Sequence, residues 1–521
     1  MASAGLPDKV TLITPPSIFL LDERVFVNLG ILKVAAVLEK QGVFVEHLDL
    51  SGTENYLDAL ETHLRAAAPG AIGITTTTPQ LPTVAKIAGL IRAVRPEARI
   101  ILGGPHVTLT DSAVKLERRQ GRVSRAHAAL ARLEALADVL VSGDGEFAVL
   151  VALRPDAPTL VDGDDPSGDL FLTNAAYEEM PFPARHLVDI DSYHYEIEGR
   201  RSTSLIAQLG CPFGCGFCGG RNTKSLRMIR TRSTASIVAE VRALYHAHGF
   251  TGFMFYDDEL NVNKNMVGLM NALADLQSEL GQDFRFRGFV KAELFTVEQA
   301  AAMYRAGFRW LLCGFESGSP RILENVNKRA ALDDNSRAVD LAKEAGLKVK
   351  ALMSVGHPGE SEQTTRETQE WLLRARPEDG RADPHHGGPL LDGHLEVVAH
   401  AHGEVVHAEA GNAGGHRRVA QLPEPPEVRA DILGVFQEWR DGHQAQDLEP
   451  RQGRGLPKER HQVRLGEPRF RQLAALVHLD EARYSLAQGP GVLVQLVGQL
   501  QGIQGVNEVE ELNGELGLVR L

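Results

Sequence analysis

Cys211, Cys215 and Cys218 fall within eight residues of a 521-residue chain, as Cys211-Pro-Phe-Gly-Cys215-Gly-Phe-Cys218, with the spacing C-x3-C-x2-C. Four cysteines in all are too few for a disulfide scaffold in so long a chain. The opening residues carry no basic stretch followed by an apolar run, and no segment approaches the ~20 apolar residues of a membrane span. A cytoplasmic, reducing location is therefore expected, where thiols stay reduced unless a metal holds them. The three cysteines then read as a ligand set. Three thiolates suit an iron-sulfur cubane with one iron left open to a ligand. The alternative is a structural zinc with Cys313 as fourth ligand, although such sites usually pair two C-x2-C units. Cys313 ends an apolar run and reads as a core residue.

The text on either side of this motif is written in strands and helices. Short apolar runs at 10–14, 43–48, 71–75, 100–102 and 139–141 alternate with helical patterns at 29–40, 83–94 and 126–135. This rhythm predicts an α/β domain over 8–161, flavodoxin-like (Rossmann-like) and doubly wound, with its ligand across the carboxyl ends of the strands. Pro166, Pro181 and Pro183 break the rhythm, and 162–200 reads as a linker. A second alternation follows, with strands at 203–208, 252–257, 284–289, 310–313 and 349–355. Its helices fall at 235–246, 264–280, 296–305, 334–344 and 361–374. Five βα units are most of a barrel, here a partial (β/α)6 barrel over 201–376, and barrel chemistry sits at the carboxyl ends of the strands.

Beyond 376 the composition changes. A single lysine, Lys458, follows Lys350, the last methionine is Met353, and ten of the nineteen histidines lie from His385 onward. No sixth strand that would close the barrel is visible. The irregular segment 377–521 is left unassigned, with two readings: a divergent helical domain using stretches such as 492–500, or a reading-frame shift near Asp379. Scattered histidines, His385, His386, His400 and His402 among them, make a poor ligand set and receive no role.

The motif Cys211-x3-Cys215-x2-Cys218, with Phe217 before the third cysteine, resembles that of the radical S-adenosylmethionine (SAM) superfamily. The resemblance extends to successive strand ends. Asp257-Asp258-Glu259 stands where the family contacts the SAM amino group, largely through backbone carbonyls. Lys291 and Glu293 stand in the region that touches ribose and carboxylate. Gly314-Phe315-Glu316-Ser317-Gly318-Ser319 resembles the fourth-strand motif, and Gly356-His357-Pro358-Gly359-Glu360 the fifth-strand turn. Read alone, Asp257 and Asp258 could be helix caps and Gly359 a turn. The resemblance implies a [4Fe-4S] cluster on the three cysteines, SAM on its open iron, and cleavage of SAM to a 5'-deoxyadenosyl radical inside a barrel shielded from water.

The N-terminal domain is similar to the cobalamin (B12) domain found ahead of many such barrels. The similarity rests on Thr75 and Thr77 after the third strand, Gly103 and Gly104 after the fourth, and Gly143-Asp144-Gly145-Glu146 after the fifth. Small residues let backbone approach a large macrocycle. Domains that ligate cobalt carry Asp-x-His-x-x-Gly after the first strand. This chain has Thr14-Pro15-Pro16-Ser17, so that loop offers no histidine, and His106 reads as a surface or hydrogen-bonding residue. Arg230 and Arg232 read as helix-entry or substrate-rim residues.

What the resemblance implies is a cobalamin-dependent radical SAM enzyme, most often a methyltransferase, acting on a small biosynthetic intermediate with a reductant such as flavodoxin or ferredoxin. A cyclase or oxidoreductase without methyl transfer, and a non-catalytic or inactivated protein, are the alternatives. The tRNA methylthiotransferases share the domain order, but they need further cysteines in the first domain, and this one has none. With 55 basic against 68 acidic side chains, a net charge of −13 argues against a nucleic-acid partner.

Overall fold

Val10, Leu12 and Ile13 are almost fully buried in the first strand, as expected of a strand covered on both faces by helices. The computed structural model describes residues 5–377 except 18, 19 and 21, together with two later strands, Leu395–Ala401 and Glu404–Ala410, as backbone. The first region runs β1 (Lys9–Thr14), α1 (Leu29–Lys40), β2 (Phe44–Asp49), α2 (Tyr56–Ala67), β3 (Ala71–Thr75), α3 (Leu81–Val94) and β4 (Arg99–Gly103). It continues with α4 (Pro105–Arg119), α5 (Arg125–Glu134), β5 (Val139–Gly143), α6 (Gly145–Ala152) and β6 (Leu160–Gly163). The parallel sheet has the order β2-β1-β3-β4-β5-β6, the doubly wound topology the sequence predicts, extended by one strand. That strand, β6, lies at the start of the stretch expected to be a linker; its Leu-Val-Asp-Gly is too short to stand out beside the prolines.

The linker stretch also holds α7 (Asn174–Glu178) and β7 (Tyr195–Ile197), and then the second sheet begins. Its strands are β8 (Arg200–Leu205), β11 (Gly252–Phe255), β12 (Arg285–Phe289), β13 (Phe308–Glu316) and β14 (Lys348–Val355), all parallel. A small ladder of β9 (Gln208–Leu209) and β10 (Arg230–Thr231) brackets the cysteine loop. The covering helices are α8 (Thr234–His248), α9 (Met266–Leu280), α10 (Val297–Arg305), α11 (Pro320–Asn325), α12 (Leu332–Glu344) and α13 (Glu362–Ala375). Contrary to the sequence expectation, a sixth parallel strand is present: β15 (Leu395–Ala401) pairs with β14, and β16 (Glu404–Ala410) returns antiparallel. Its Leu-Glu-Val-Val-Ala-His-Ala carries strand-forming residues, but the unusual text around it hid the alternation. The remaining expectations for the tail, including the frame shift near Asp379 and packing by 492–500, lie outside the described residues.

Register separates the two faces of the curled sheet. Phe253, Phe255, Phe286 and Phe308 face the helices, where their rings meet at 5.5–5.8 Å in a core with Leu269, Leu273 and Met303. Each such ring pair adds about 0.5–1.5 kcal/mol beyond the area it buries. The alternate residues Met254, Arg287 and Phe289 therefore line the inside of the half-barrel. Both sheets belong to one compact unit, Met1–Glu424. Among the described residues, no helix is long and apolar enough to cross a membrane.

Candidate active site

The cysteine loop leaves β9 at the carboxyl end of the first barrel strand and is anchored from outside. Its carbonyls at Pro212 and Gly216 accept from Arg227 and Arg221, and that of Gly214 accepts from Asn327 Nδ2 at 2.9 Å. The amide of Gly216 donates to Val326 O at 2.6 Å. A loop held this way presents its side chains without relying on them for its shape. Cys218 is exposed, Cys211 half-buried and Cys215 buried.

Burial pushes the Cys211 thiol up to about 11, and it raises that of Cys215 against the opposing pull of Lys328 and Lys291. Thiolates here need a cation, which is what iron supplies. Zinc demands sulfurs gathered within roughly 4 Å of one another around a single ion. Among the described residues no three His, Cys, Asp or Glu side chains converge in that way, and Cys313 packs in the helix-facing core.

Around this loop the barrel strands end in buried charge. The Asp257 carboxylate accepts the backbone N–H groups of Ala207 (3.2 Å) and Gln208 (2.5 Å), so it shapes the exit of β8. Burial pushes it up to about 7. Asp258 accepts from the Gly210 amide and remains exposed. The Glu259 carbonyl accepts from Gln208 Nε2, while Gln208 Oε1 is buried with no hydrogen-bond partner among the described residues. Burial also raises Glu259, to about 7, despite Lys328 and Lys291.

Lys291 lies 2.8 Å from Glu293, donates to Lys328 O at 3.1 Å, and stands over the Phe213 ring at 4.4 Å. Glu316, in a left-handed backbone conformation (φ 65°), takes Lys328 at 2.9 Å on one oxygen and the Ser354 hydroxyl at 2.8 Å on the other. Ser354 continues to His357 at 2.6 Å, whose ring lies 5.5 Å from that of Phe217. A Cβ on Gly314 would stand 2.7 Å from Glu316 Oε1 and 3.1 Å from Lys328 Nζ, so a larger residue would push the ends of these two side chains from their present places. Ser317 turns away from the group and hydrogen-bonds Thr368 of α13 at 3.0 Å. Gly356, at φ 93°, donates to Glu360 at 2.7 Å.

The strand ends of the α/β region are built differently. Thr77 caps the turn that follows it through Gln80, and Gln80 reaches back to Pro15 O at 2.7 Å. Thr76 is fully buried and its hydroxyl has no hydrogen-bond partner among the described residues. Gly104 (φ 95°) packs against Thr75 and Thr76 so closely that a Cβ would stand 2.7 Å from the Thr76 amide. Gly143 (φ 84°) abuts the Gly163–Asp164 backbone at 2.4 Å on the same measure, and its amide donates to Thr108. Gly103 is the last residue of β4, paired with Thr75, and a Cβ there would meet the Val141 side chain at 3.6 Å. His106 bonds Thr78 at 2.9 Å, the hydrogen-bonding role the sequence suggested. Glu146 is buried, and its charge acts on Lys33 and Asp144.

Sequence reasoning missed the groups that join the two regions. Asp164, just past β6, accepts the amides of Lys224 (3.1 Å) and Ser225 (2.6 Å) and the Ser225 hydroxyl (2.6 Å), directly downstream of the cysteine loop. Arg230 is 2% exposed and binds Asp144 together with the Ser225 and Leu172 carbonyls. Arg232 pairs with Glu240, which also takes Arg185 at 2.6 Å. Arg230 and Arg232 are thus buried anchors and not rim residues. Leu109 of α4 packs against Gly219, next to Cys218. The loop ends of the α/β region and the cysteine loop therefore share one buried seam. Only the proximity of Asp144 to its own glycine motif could have signalled this.

Residues 205–372 match the radical SAM superfamily, and residues 23–147 match the B12 binding domain. An uncharacterized methyltransferase of Pyrococcus horikoshii is 26% identical over 308 residues, 58% of this chain and 63% of the relative. The anaerobic magnesium-protoporphyrin IX monomethyl ester cyclase of Rubrivivax gelatinosus is 24% identical over 350 residues, 63% of this chain and 59% of that protein. The chain thus spans about three-fifths of the length of these two relatives. The structure of the radical S-adenosylmethionine methyltransferase TsrM from Kitasatospora setae, with tryptophan and a SAM analogue bound, superposes with a TM-score of 0.56 at 18% identity. It covers 71% of this chain and 72% of that one, a likeness of fold. The cysteine loop, the sheet order and both matches identify a radical SAM domain over residues 205–372, with a B12 binding domain over residues 23–147 ahead of it.

Proposed function

We propose that the chain is a cobalamin-dependent radical SAM enzyme that transfers a methyl group to a small biosynthetic intermediate. Cys211, Cys215 and Cys218 would hold a [4Fe-4S] cluster, region 201–376 would bind SAM, and region 8–161 would bind cobalamin. The observation that carries the reading is the cysteine loop, anchored at the barrel mouth and joined through Asp164 and Arg230 to the glycine loops of the α/β region. When bound, the cluster supplies an electron that cleaves a carbon-sulfur bond of SAM, the cobalamin carries a methyl group, and a flavodoxin or ferredoxin in the cytoplasm would replenish the electron.

The rest is the work of this chain's residues. Lys291 and Lys328 set a positive field beside the Cys215 thiol. Asp257 fixes the strand exit from which the loop departs, and Gln208 Oε1 offers a buried acceptor that lacks a partner among the described residues. A ligand N–H or O–H would satisfy it, since an unmet buried group costs about 1–3 kcal/mol. Phe217 and Gly356 border the same mouth, while Thr75, Thr77, Gly103, Gly104, Gly143 and Glu146 form the loops that would receive the macrocycle. No histidine comes from the β1 loop, so cobalt would be bound without a protein ligand from that loop. Similarity to the cyclase keeps a second reading in view, radical chemistry without methyl transfer.

Anaerobic reconstitution with iron, sulfide and hydroxocobalamin, followed by methyl-labelled SAM and dithionite, tests the proposal. The expected products are 5'-deoxyadenosine and label on the corrinoid. Neither product from a protein with an intact cluster would refute it, and 5'-deoxyadenosine without label transfer would favour the second reading.

A further inference from the structure

The inside of the half-barrel carries an aromatic wall that the cluster and its neighbours leave unused. Phe26, from the α/β region just before α1, places its ring 4.5 Å from Tyr195 of β7 and 5.2 Å from Tyr256 at the end of β11. Tyr256 meets Phe289 of β12 edge-on at 6.2 Å. These rings come from both regions and from three separate stretches of the barrel sheet, yet Tyr256 remains 50% exposed. Large aromatics on a concave inner face that stay in contact with solvent are a surface for a flat apolar ligand.

Beside them stands Arg287, two residues before Phe289 and on the same face. Its register neighbour Trp310 and the next cation, Lys348, share Glu198 at 2.6 and 3.1 Å. Among the described residues Arg287 has no carboxylate partner. It donates to the Tyr195 hydroxyl at 3.1 Å, and its Nε is buried without an acceptor. A guanidinium presents a planar fork matched to a carboxylate, and a single positive charge suits a monoanion better than a phosphate dianion.

We infer that the inner face formed by Phe26, Tyr195, Tyr256, Phe289 and Arg287 is a binding site for a planar conjugated ring that bears a carboxylate. The rings take the flat body and Arg287 takes the acid. This inference names the substrate class of the enzyme proposed above and rests on that reading.

Equilibrium dialysis of the anaerobically reconstituted full chain against 2-naphthoate tests it, with methyl 2-naphthoate as the uncharged control. The wild type should bind the acid saturably and more tightly than the ester. Arg287→Gln should weaken the acid by about tenfold or more, the scale of a lost charged hydrogen bond, and leave the ester within about twofold. Retained ester binding also shows that the variant is folded. Arg287→Lys, which keeps the charge but loses the fork, should fall between, and Tyr256→Ala should weaken acid and ester alike. No saturable binding of the acid by the wild type, or equal binding of the acid by wild type and Arg287→Gln, overturns the inference. SAM cleavage is measured separately on the wild type: cleavage without naphthoate binding removes this site alone, and naphthoate binding without cleavage removes the functional reading alone.

Discussion

The two sheets put their ligand loops at the same end of their strands but build them from opposite materials. The barrel strands close in charged side chains: Asp257, Glu259, Lys291, Glu316 and Lys328 are packed around one cysteine loop. The α/β strands close in backbone: Thr75, Thr76, Gly103, Gly104 and Gly143, with Gly104 and Gly143 so tight that a methyl group has no room. The contrast follows the ligand each end suits. A cluster and a sulfonium are charged and small, so fields and counter-charges hold them. A corrinoid is wide and needs surface at close range. The barrel end should therefore be sensitive to changes of charge, and the α/β end to changes of volume.

The largest expected effect breaks the barrel end alone. Cys215→Ala should lose the cluster, read as iron content and visible absorbance, while the corrinoid spectrum persists; loss of both would mean that the two ends are not separate. Next comes the buried ion pair. Lys328→Met strands the Glu316 carboxylate and should cost about 3–5 kcal/mol in denaturant unfolding, and the double change Lys328→Met with Glu316→Gln should recover much of it. A loss of under about 1 kcal/mol in the single variant would show Glu316 to be water-compensated.

Volume is the test of the other end. Gly143→Ala forces a side chain at φ 84° into the Gly163–Asp164 backbone, and should cost about 2–3 kcal/mol and the corrinoid spectrum, with the cluster retained. The smallest effect is a pH slope. Burial raises Asp257 to about 7, well above its unfolded value near 3.9, so the stability it contributes is complete below about pH 4 and is lost as pH rises towards 7. Asp257→Asn removes this loss. Its stability relative to wild type should therefore improve steadily from pH 4 to 7, and a flat difference across that window would place the folded Asp257 near its ordinary value.

Much of this was legible in the sequence, and the exceptions have physical causes. Periodicity located five strands in each sheet because fully buried strands are continuous apolar runs, and the C-x3-C-x2-C spacing located the candidate site because its three cysteines are neighbours in sequence. The helix α4 escaped because Pro105 looks like a breaker, although proline fits the first helical position, where its missing N–H costs nothing. Lys328, Asn327 and Arg227 escaped because they act on the cysteine loop through space. Arg230 and Asp144 are 86 residues apart, and Asp164 and Ser225 are 61 apart. No local pattern announces a contact of that range. Ser317 belongs to a strand-end motif legible in the sequence, whereas the contact of its hydroxyl with Thr368 of α13, past the bulge between Gly314 and Glu316, was not.

The central claim is that one chain holds a SAM-binding cluster and a corrinoid on facing loop ends. Electron paramagnetic resonance of the reduced, anaerobically reconstituted protein tests it most directly. The expected result is a [4Fe-4S] signal that changes shape when SAM is added, in a sample whose visible spectrum also carries bound cobalamin. A cluster signal indifferent to saturating SAM, or a protein that retains no cobalamin after desalting, would contradict it.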